Sequence, residues 1–209
     1  MGELFNPEGS VMRALSRVAD LAILNVLWLV CSIPVVTMGA STTALYSICM
    51  KMVRDEESYI IKGFFKEFKQ NFKNSTILWL GVMVIFGVLA GDFYIFSRWD
   101  SQWKYPMLVL VLLVLMVCVF MYLYLFPLMA KFENTKSQYI KNAFFMSMRH
   151  LPYTIGLTVV LGCQIYANIY VLENIATYLP LGILFGVSLF VYAKSWIMMK
   201  ALKPYLGEE

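Results

Sequence analysis

The sequence predicts an all-α membrane protein: one domain over residues 1–209, a helical bundle of about six transmembrane helices with one or two amphipathic helices at the cytoplasmic surface. Three observations carry this expectation. Sixty per cent of the 209 residues are apolar and 14% charged, with a mean hydropathy of +0.69, too apolar for a water-soluble domain of this size. Uncharged runs occupy 21–50, 75–91, 105–130, 151–172 and 174–193, and a bilayer core roughly 30 Å thick takes about 20 apolar residues per crossing helix. The basic residues also collect in alternate connections, as the loops on the cytoplasmic side of a membrane do.

The first element, 12–55, is read as a helical hairpin. Its uncharged run is too long for one upright helix, and Pro34 removes a backbone donor and disfavours helix at Ile33. Ser41, Thr42 and Thr43 then offer oxygens to cap a second helix. Helices are expected over 12–33 and 41–55, with a turn at 34–40. The rival is a single long kinked helix, which lowers the number of crossings to five. The hairpin puts every Lys and Arg except Arg98 and Lys104 on one side of the membrane, whereas the single helix moves Arg13 and Arg17 to the other. The charge asymmetry favours the hairpin. Arg13 and Arg17 ahead of an apolar run imitate a secretory signal, but a stretch longer than a signal core and four further spans point to a retained helix.

The segment 58–74 is predicted to be an amphipathic helix lying in the membrane interface. At 100° per residue, Ile61, Phe64, Phe65, Phe68 and Phe72 share an arc of about 100°, flanked by Lys62, Lys66, Lys69 and Lys73. Lysine stems beside an aromatic stripe suit a lipid headgroup region. Phe64, Phe65, Phe68, Lys62, Lys66 and Lys69 are therefore candidates for an interface with lipid or with another membrane complex. Crossings are expected over 75–97, 105–130, 152–172 and 175–199. A weak repeat at an offset of 80 sets Tyr59, Ile60, Phe64, Phe65 and Lys69 against Tyr139, Ile140, Phe144, Phe145 and Arg149, and suggests a second, shorter interfacial segment.

No phosphate-binding glycine loop, paired-histidine metal helix or serine elbow is present. His150 stands alone, and the cysteines at 31, 49, 118 and 163 fall inside apolar runs without a CxxC pair. The chain is expected to be no enzyme, to hold no cofactor or metal, and to have lipid rather than nucleic acid as its partner. Polar residues within the spans are the better functional candidates, because they are costly in hydrocarbon. Asp20 and Asn25 on the first helix, Asp92 toward the outer end of the third, and Gln164 with Asn168 one turn apart on the fifth are singled out. Asp20 is close enough to Arg17 to pair with it, and Lys194 close enough to the inner boundary to snorkel. The pairs Gly87/Gly91 and Gly182/Gly186 mark faces for close helix packing.

Asn25 with Trp28, then Pro34, Thr37, Gly39 and Ala44, then Phe65, Phe68, Asn71 and Phe72 resemble the YesL family of bacterial membrane proteins, which is defined by a domain of unknown function. The resemblance covers the first 80 or so residues. It implies a multi-pass protein of the bacterial cytoplasmic membrane, often encoded near carbohydrate uptake systems and sometimes labelled a permease, and it transfers no catalytic residue and no substrate. The expected function is that of a non-catalytic accessory or regulatory component linked to carbohydrate uptake, acting through its basic, aromatic helix on another membrane transport complex or on a second copy. The alternative is a permease or permease subunit for a small solute such as a sugar. The accessory reading is preferred because the charges crowd the boundaries and Pro34 marks the one evident helix break.

Overall fold

The computed structural model describes residues 10–56 and 59–205, and among these the chain is helical with no strand. Glu57 and Ser58, at the expected start of the amphipathic segment, lie outside the described residues. Helices α1 (Ser10–Ser32) and α2 (Met38–Val53) are joined by a 3-10 turn, Val35–Thr37. They run antiparallel. Trp28 Nε1 donates to Thr42 Oγ1 at 3.1 Å, the hydroxyls of Ser32 and Ser41 lie 2.7 Å apart, and Arg17 near the start of α1 pairs with Asp55 beyond the end of α2. The pairing excludes a single kinked helix over 12–55. Pro34 holds the turn extended at φ −74°, and the Thr37 hydroxyl sits 2.6 Å from the carbonyl of Cys31 and 2.7 Å from that of Pro34. Ser41 and Thr43 do not cap. The helix has already begun at Met38, and these hydroxyls bridge helices instead, Ser41 to Ser32 and Thr43 to Ser75 at 2.9 Å, as hydroxyls do where no water competes for them.

Helix α2 is the centre of the molecule, buried from Gly39 to Met50 except at Thr42. Its 16 residues extend about 24 Å, short of a bilayer core roughly 30 Å thick. Among the described residues four helices are long and apolar enough to cross a membrane: Met12–Ser32, Ile60–Arg98, Lys104–Lys131 and Leu151–Glu173. Taken together, α7 (Ile175–Phe185) and α8 (Ser188–Leu202), bent by 42° at the break between them, are long and apolar enough for a fifth, as a broken span or a re-entrant loop.

The segments expected at 58–74 and 75–97 are joined in one 39-residue helix, α3 (Ile60–Arg98). No proline falls in it and no glycine lies between Gly63 and Gly81, so nothing interrupts the backbone where the expected boundary stood. At 1.5 Å per residue the helix is about 58 Å long, so its first turns stand beyond the span. Their aromatic stripe meets α2 as well as the surface. Phe64 is fully buried, Phe68 packs against the core, and Gly63 lies under the Ile48 side chain. The stripe thus has a protein core to face, supplied by α2, which the sequence reading did not supply.

Helix α4 (Lys104–Lys131) returns beside α3, with Phe126 against Trp79 and Tyr122 against Phe86. Helix α5 (Lys136–Arg149) opens with a capping box between Thr135 and Gln138. It stops at His150 because Pro152, in the first turn of α6 (Leu151–Glu173), cannot continue it. Connections rich in Lys and Arg converge at one end of the bundle: Gln70 bonds Glu133 at 3.0 Å, Lys51 pairs with Glu67 at 2.7 Å, and His150 bonds Tyr205 at 3.1 Å. The two copies of the weak repeat occupy different surroundings, since Phe64 is buried and Phe144 exposed, while Tyr59 is exposed and Tyr139 buried with its hydroxyl donated to Phe132 O.

Candidate functional site

The break between α7 and α8 is held by one side chain. Asn25, fully buried on α1, donates from Nδ2 to the carbonyls of Ile183 at 2.6 Å and Gly182 at 3.3 Å, and its Oδ1 accepts from the N–H groups of Val187 at 2.9 Å and Ser188 at 2.8 Å. In an unbroken helix the Val187 N–H would bond the Ile183 carbonyl. The Asn25 carboxamide is inserted between them and takes the place of a peptide group. Its orientation is dictated, because backbone N–H groups can only donate and carbonyls only accept. Away from water such freed backbone groups need a protein partner, and Asn25 is the residue that makes the kink tolerable. The kink also brings α7 against α6, where Gly182 sits so near Val171 that an added Cβ would come within 2.9 Å of it.

Below the break lies a cavity of about 240 Å³, lined from every side of the bundle by Trp28 of α1, Thr42 and Tyr46 of α2, Trp79 of α3, Tyr122 and Phe126 of α4, Gln164 and Asn168 of α6, and Val191 and Lys194 of α8. Gln164 and Asn168, expected from sequence to share a polar face, both line it. Asp92 does not. It stands 13 residues beyond Trp79 on α3, about 20 Å along the helix, and is half-exposed.

Lys194 overturns the expectation of a snorkelling side chain. It is 4% exposed, and its Nζ donates to Gln164 Oε1 at 2.5 Å. The reason lies in the face of α8 that it occupies. Ser188, Val191, Lys194, Ser195, Met198, Ala201 and Leu202 are the buried residues of that helix and recur at three and four, the spacing of a stripe turned toward the core. That spacing was legible, and reading Lys194 by its distance from the boundary missed it. Among the described residues no carboxylate pairs with it. An ammonium carries three donors, and one of them is accounted for.

The remaining candidates sit elsewhere. Lys62, Lys66 and Lys69 are exposed, as is Phe65, whereas Phe64 and Phe68 belong to the core. Arg17 reaches Asp55 and the Tyr192 hydroxyl. Gly87 and Gly91 have open space around them, so this pair mediates no close packing within the chain. Gly39 does: a Cβ there would fall 2.5 Å from Trp79 Cβ and 2.6 Å from the Ser75 carbonyl. Among the described residues no three His, Cys, Asp or Glu side chains come together to hold a metal.

A family model described as a protein of unknown function, DUF624, matches residues 21–93. The matched part runs from α1 into the second half of α3 and includes Asn25, Trp28, Gly39, Thr42 and Trp79. No curated protein and no solved structure matches the chain.

Proposed function

We propose that this chain handles a small polar solute in the cytoplasmic membrane of a bacterium, as a permease or permease subunit, and that the cavity around Lys194, Gln164 and Asn168 is where the solute sits. The observation that carries the reading is a buried cation and two carboxamides facing an aromatic-lined space beside a broken helix. Intramembrane ionisable groups and discontinuous helices are the usual marks of a solute path. The space is smaller than the roughly 300–1,000 Å³ typical of drug-sized ligands, which suits a sugar-sized molecule. The reading is a non-enzymatic one, in which the polar side chains of the wall serve to bind a solute.

In this reading the basic end of the bundle faces the cytoplasm with both termini, and α2 serves as a sixth crossing enclosed by the other five. The expectation of an accessory protein rested on the lack of an intramembrane charge and of a second broken helix. Lys194 and the α7–α8 break remove that ground. An accessory role keeps support from one feature, the exposed Phe65, Phe72 and Phe145 among the lysines of the basic end, which suit contact with headgroups or with a transport complex. Likeness to the YesL family, and with it a link to carbohydrate uptake, agrees with either role.

The two roles separate in purified protein. Vesicles containing the full chain alone, preloaded with labelled glucose or gluconate, should release one of them faster than protein-free vesicles. Replacing Gln164 and Asn168 together by leucine should abolish that release while the protein stays folded and inserted. Release no faster than from empty vesicles, with folded protein, would contradict a self-sufficient permease. Cellular solute uptake that survives the double leucine variant but is lost on changing Phe65 and Phe145 to alanine would favour the accessory role.

A further inference from the structure

We infer that the ligand of this cavity carries an anionic oxygen group, a carboxylate or phosphate, and that Lys194 with Gln164 is its binding point; the inference rests on the solute-cavity reading above. It follows from a count of donors and acceptors. Lys194 lines the cavity and spends one N–H on Gln164 Oε1, leaving two donors to be met. That bond turns the Gln164 amide so that its NH2 is the end left over. The Thr42 hydroxyl accepts from Trp28 Nε1, so its own proton remains to be given, and Tyr46 and Tyr122, whose hydroxyls can donate or accept, are among the lining residues. Trp79 Nε1, by contrast, is committed to the Val35 carbonyl at 2.8 Å.

Against these donors, Asn168 Oδ1 is a side-chain oxygen of the wall that can only accept, and among the described residues no carboxylate lines the space. A cavity with surplus donors, one of them a cation held away from water, is matched by a ligand rich in acceptors and bearing negative charge. A neutral polyol brings as many donors as it does acceptor oxygens and leaves the ammonium uncompensated. The anion could arrive on a soluble molecule or on a membrane-borne amphiphile. The second source is physically open because an apolar groove of about 450 Å³, lined by Val82, Met83, Phe86 and Val119, shares Trp79, Tyr122, Leu161 and Ile165 with the polar cavity.

The test uses the full chain in nanodiscs of neutral phosphatidylcholine and measures saturation binding of labelled gluconate, glucose and laurate. Gluconate and glucose match in size and differ in charge, and laurate carries the same charged group on a chain. Gluconate should bind at least tenfold more tightly than glucose. Lys194→Met should erase that preference, and so should Gln164→Glu, which keeps the side chain's shape and gives the ammonium an internal counter-charge. The Glu variant guards against misfolding of the Met variant, and thermal melts of both check it. Equal binding of glucose and gluconate, or gluconate binding indifferent to both substitutions, would overturn the anion assignment and leave the solute cavity standing. Laurate binding that depends on Lys194, without gluconate binding, would uphold the anion site and overturn the soluble-solute reading. Binding of none of the three would overturn both.

Discussion

Beyond Trp79 on α3 and before Tyr122 on α4, the chain presents Val84, Ile85, Val88, Val109, Leu110 and Leu113 outward, and Leu89 and Val111 are its buried residues. The other part of the bundle, built by α1, α2, α6 and α8, buries Asn25, Ser32, Ser41, Thr43, Thr154, Ser188, Lys194 and Ser195. Both regions contain helices long and apolar enough to cross a membrane, the helices of the first being the more apolar. The first turns its apolar side chains outward. The second exchanges hydrogen bonds between helices: Ser32 to Ser41, Thr43 to Ser75, Tyr124 to Thr154 and Asn25 to the α7–α8 break. Hydropathy finds the spans, and the buried polar residues decide which of them form an interior that can do chemistry.

That contrast sets the order of expected mutational effects. Phe64→Ala should be the most damaging, because it empties a fully buried site between α3 and α2, and core Phe→Ala changes cost about 3–5 kcal/mol. Unfolding in mixed micelles by added SDS would measure it. A loss below 1 kcal/mol would return Phe64 to the membrane surface where its stripe first placed it. Asn25→Leu should follow, with a loss of about 2–4 kcal/mol if each of its backbone bonds contributes roughly 0.6–1 kcal/mol as interhelical bonds in membranes do. The same variant should loosen the break, so that amide exchange at Val187 and Ser188 quickens. Unchanged exchange there would show that another group holds the kink.

Gly39→Val comes next. Its added carbons meet Trp79 and the backbone of Ser75 rather than a flexible side-chain end, and overpacking of this kind costs about 1–3 kcal/mol. Gly87→Ala and Gly91→Ala, beyond Trp79 on α3, meet nothing, so they should cost nothing and gain up to about 1 kcal/mol from the higher helix propensity of alanine. If these two destabilise as much as Gly39→Val, the outer part of α3 is packed against something, and a second copy of the chain is the first partner to test by crosslinking.

Much of the architecture was legible because it follows from single-helix rules. Uncharged runs marked the long helices, Pro34 marked the hairpin turn, and the distribution of Lys and Arg anticipated which connections meet at one end. The failures share one cause, which is that the identity of the packing partner is not written in a helix's own periodicity. The aromatic stripe of 60–72 reads the same whether it faces lipid or α2. Ser41 and Thr43 read as caps because nothing local says that Ser32 and Ser75 stand opposite them. For the site, Gln164 and Asn168 were visible as a polar pair one turn apart and Asn25 as a polar residue within a span, whereas the roles of Lys194 and Asn25 needed the tertiary arrangement. One looked like a boundary cation, and the other works by mending a helix more than 150 residues away in the chain.

The central claim is that the polar region encloses a space open to water-soluble molecules while the outer parts of α3 and α4 face lipid, and thiol accessibility tests it most directly. In a background with Cys31, Cys49, Cys118 and Cys163 replaced by alanine, single variants Asn168→Cys and Thr42→Cys should react with a small charged methanethiosulfonate in intact vesicles, while Val88→Cys and Val109→Cys should not. If Asn168→Cys and Thr42→Cys prove as unreactive as the two outer sites in folded protein, the cavity is sealed and the solute-handling account is contradicted.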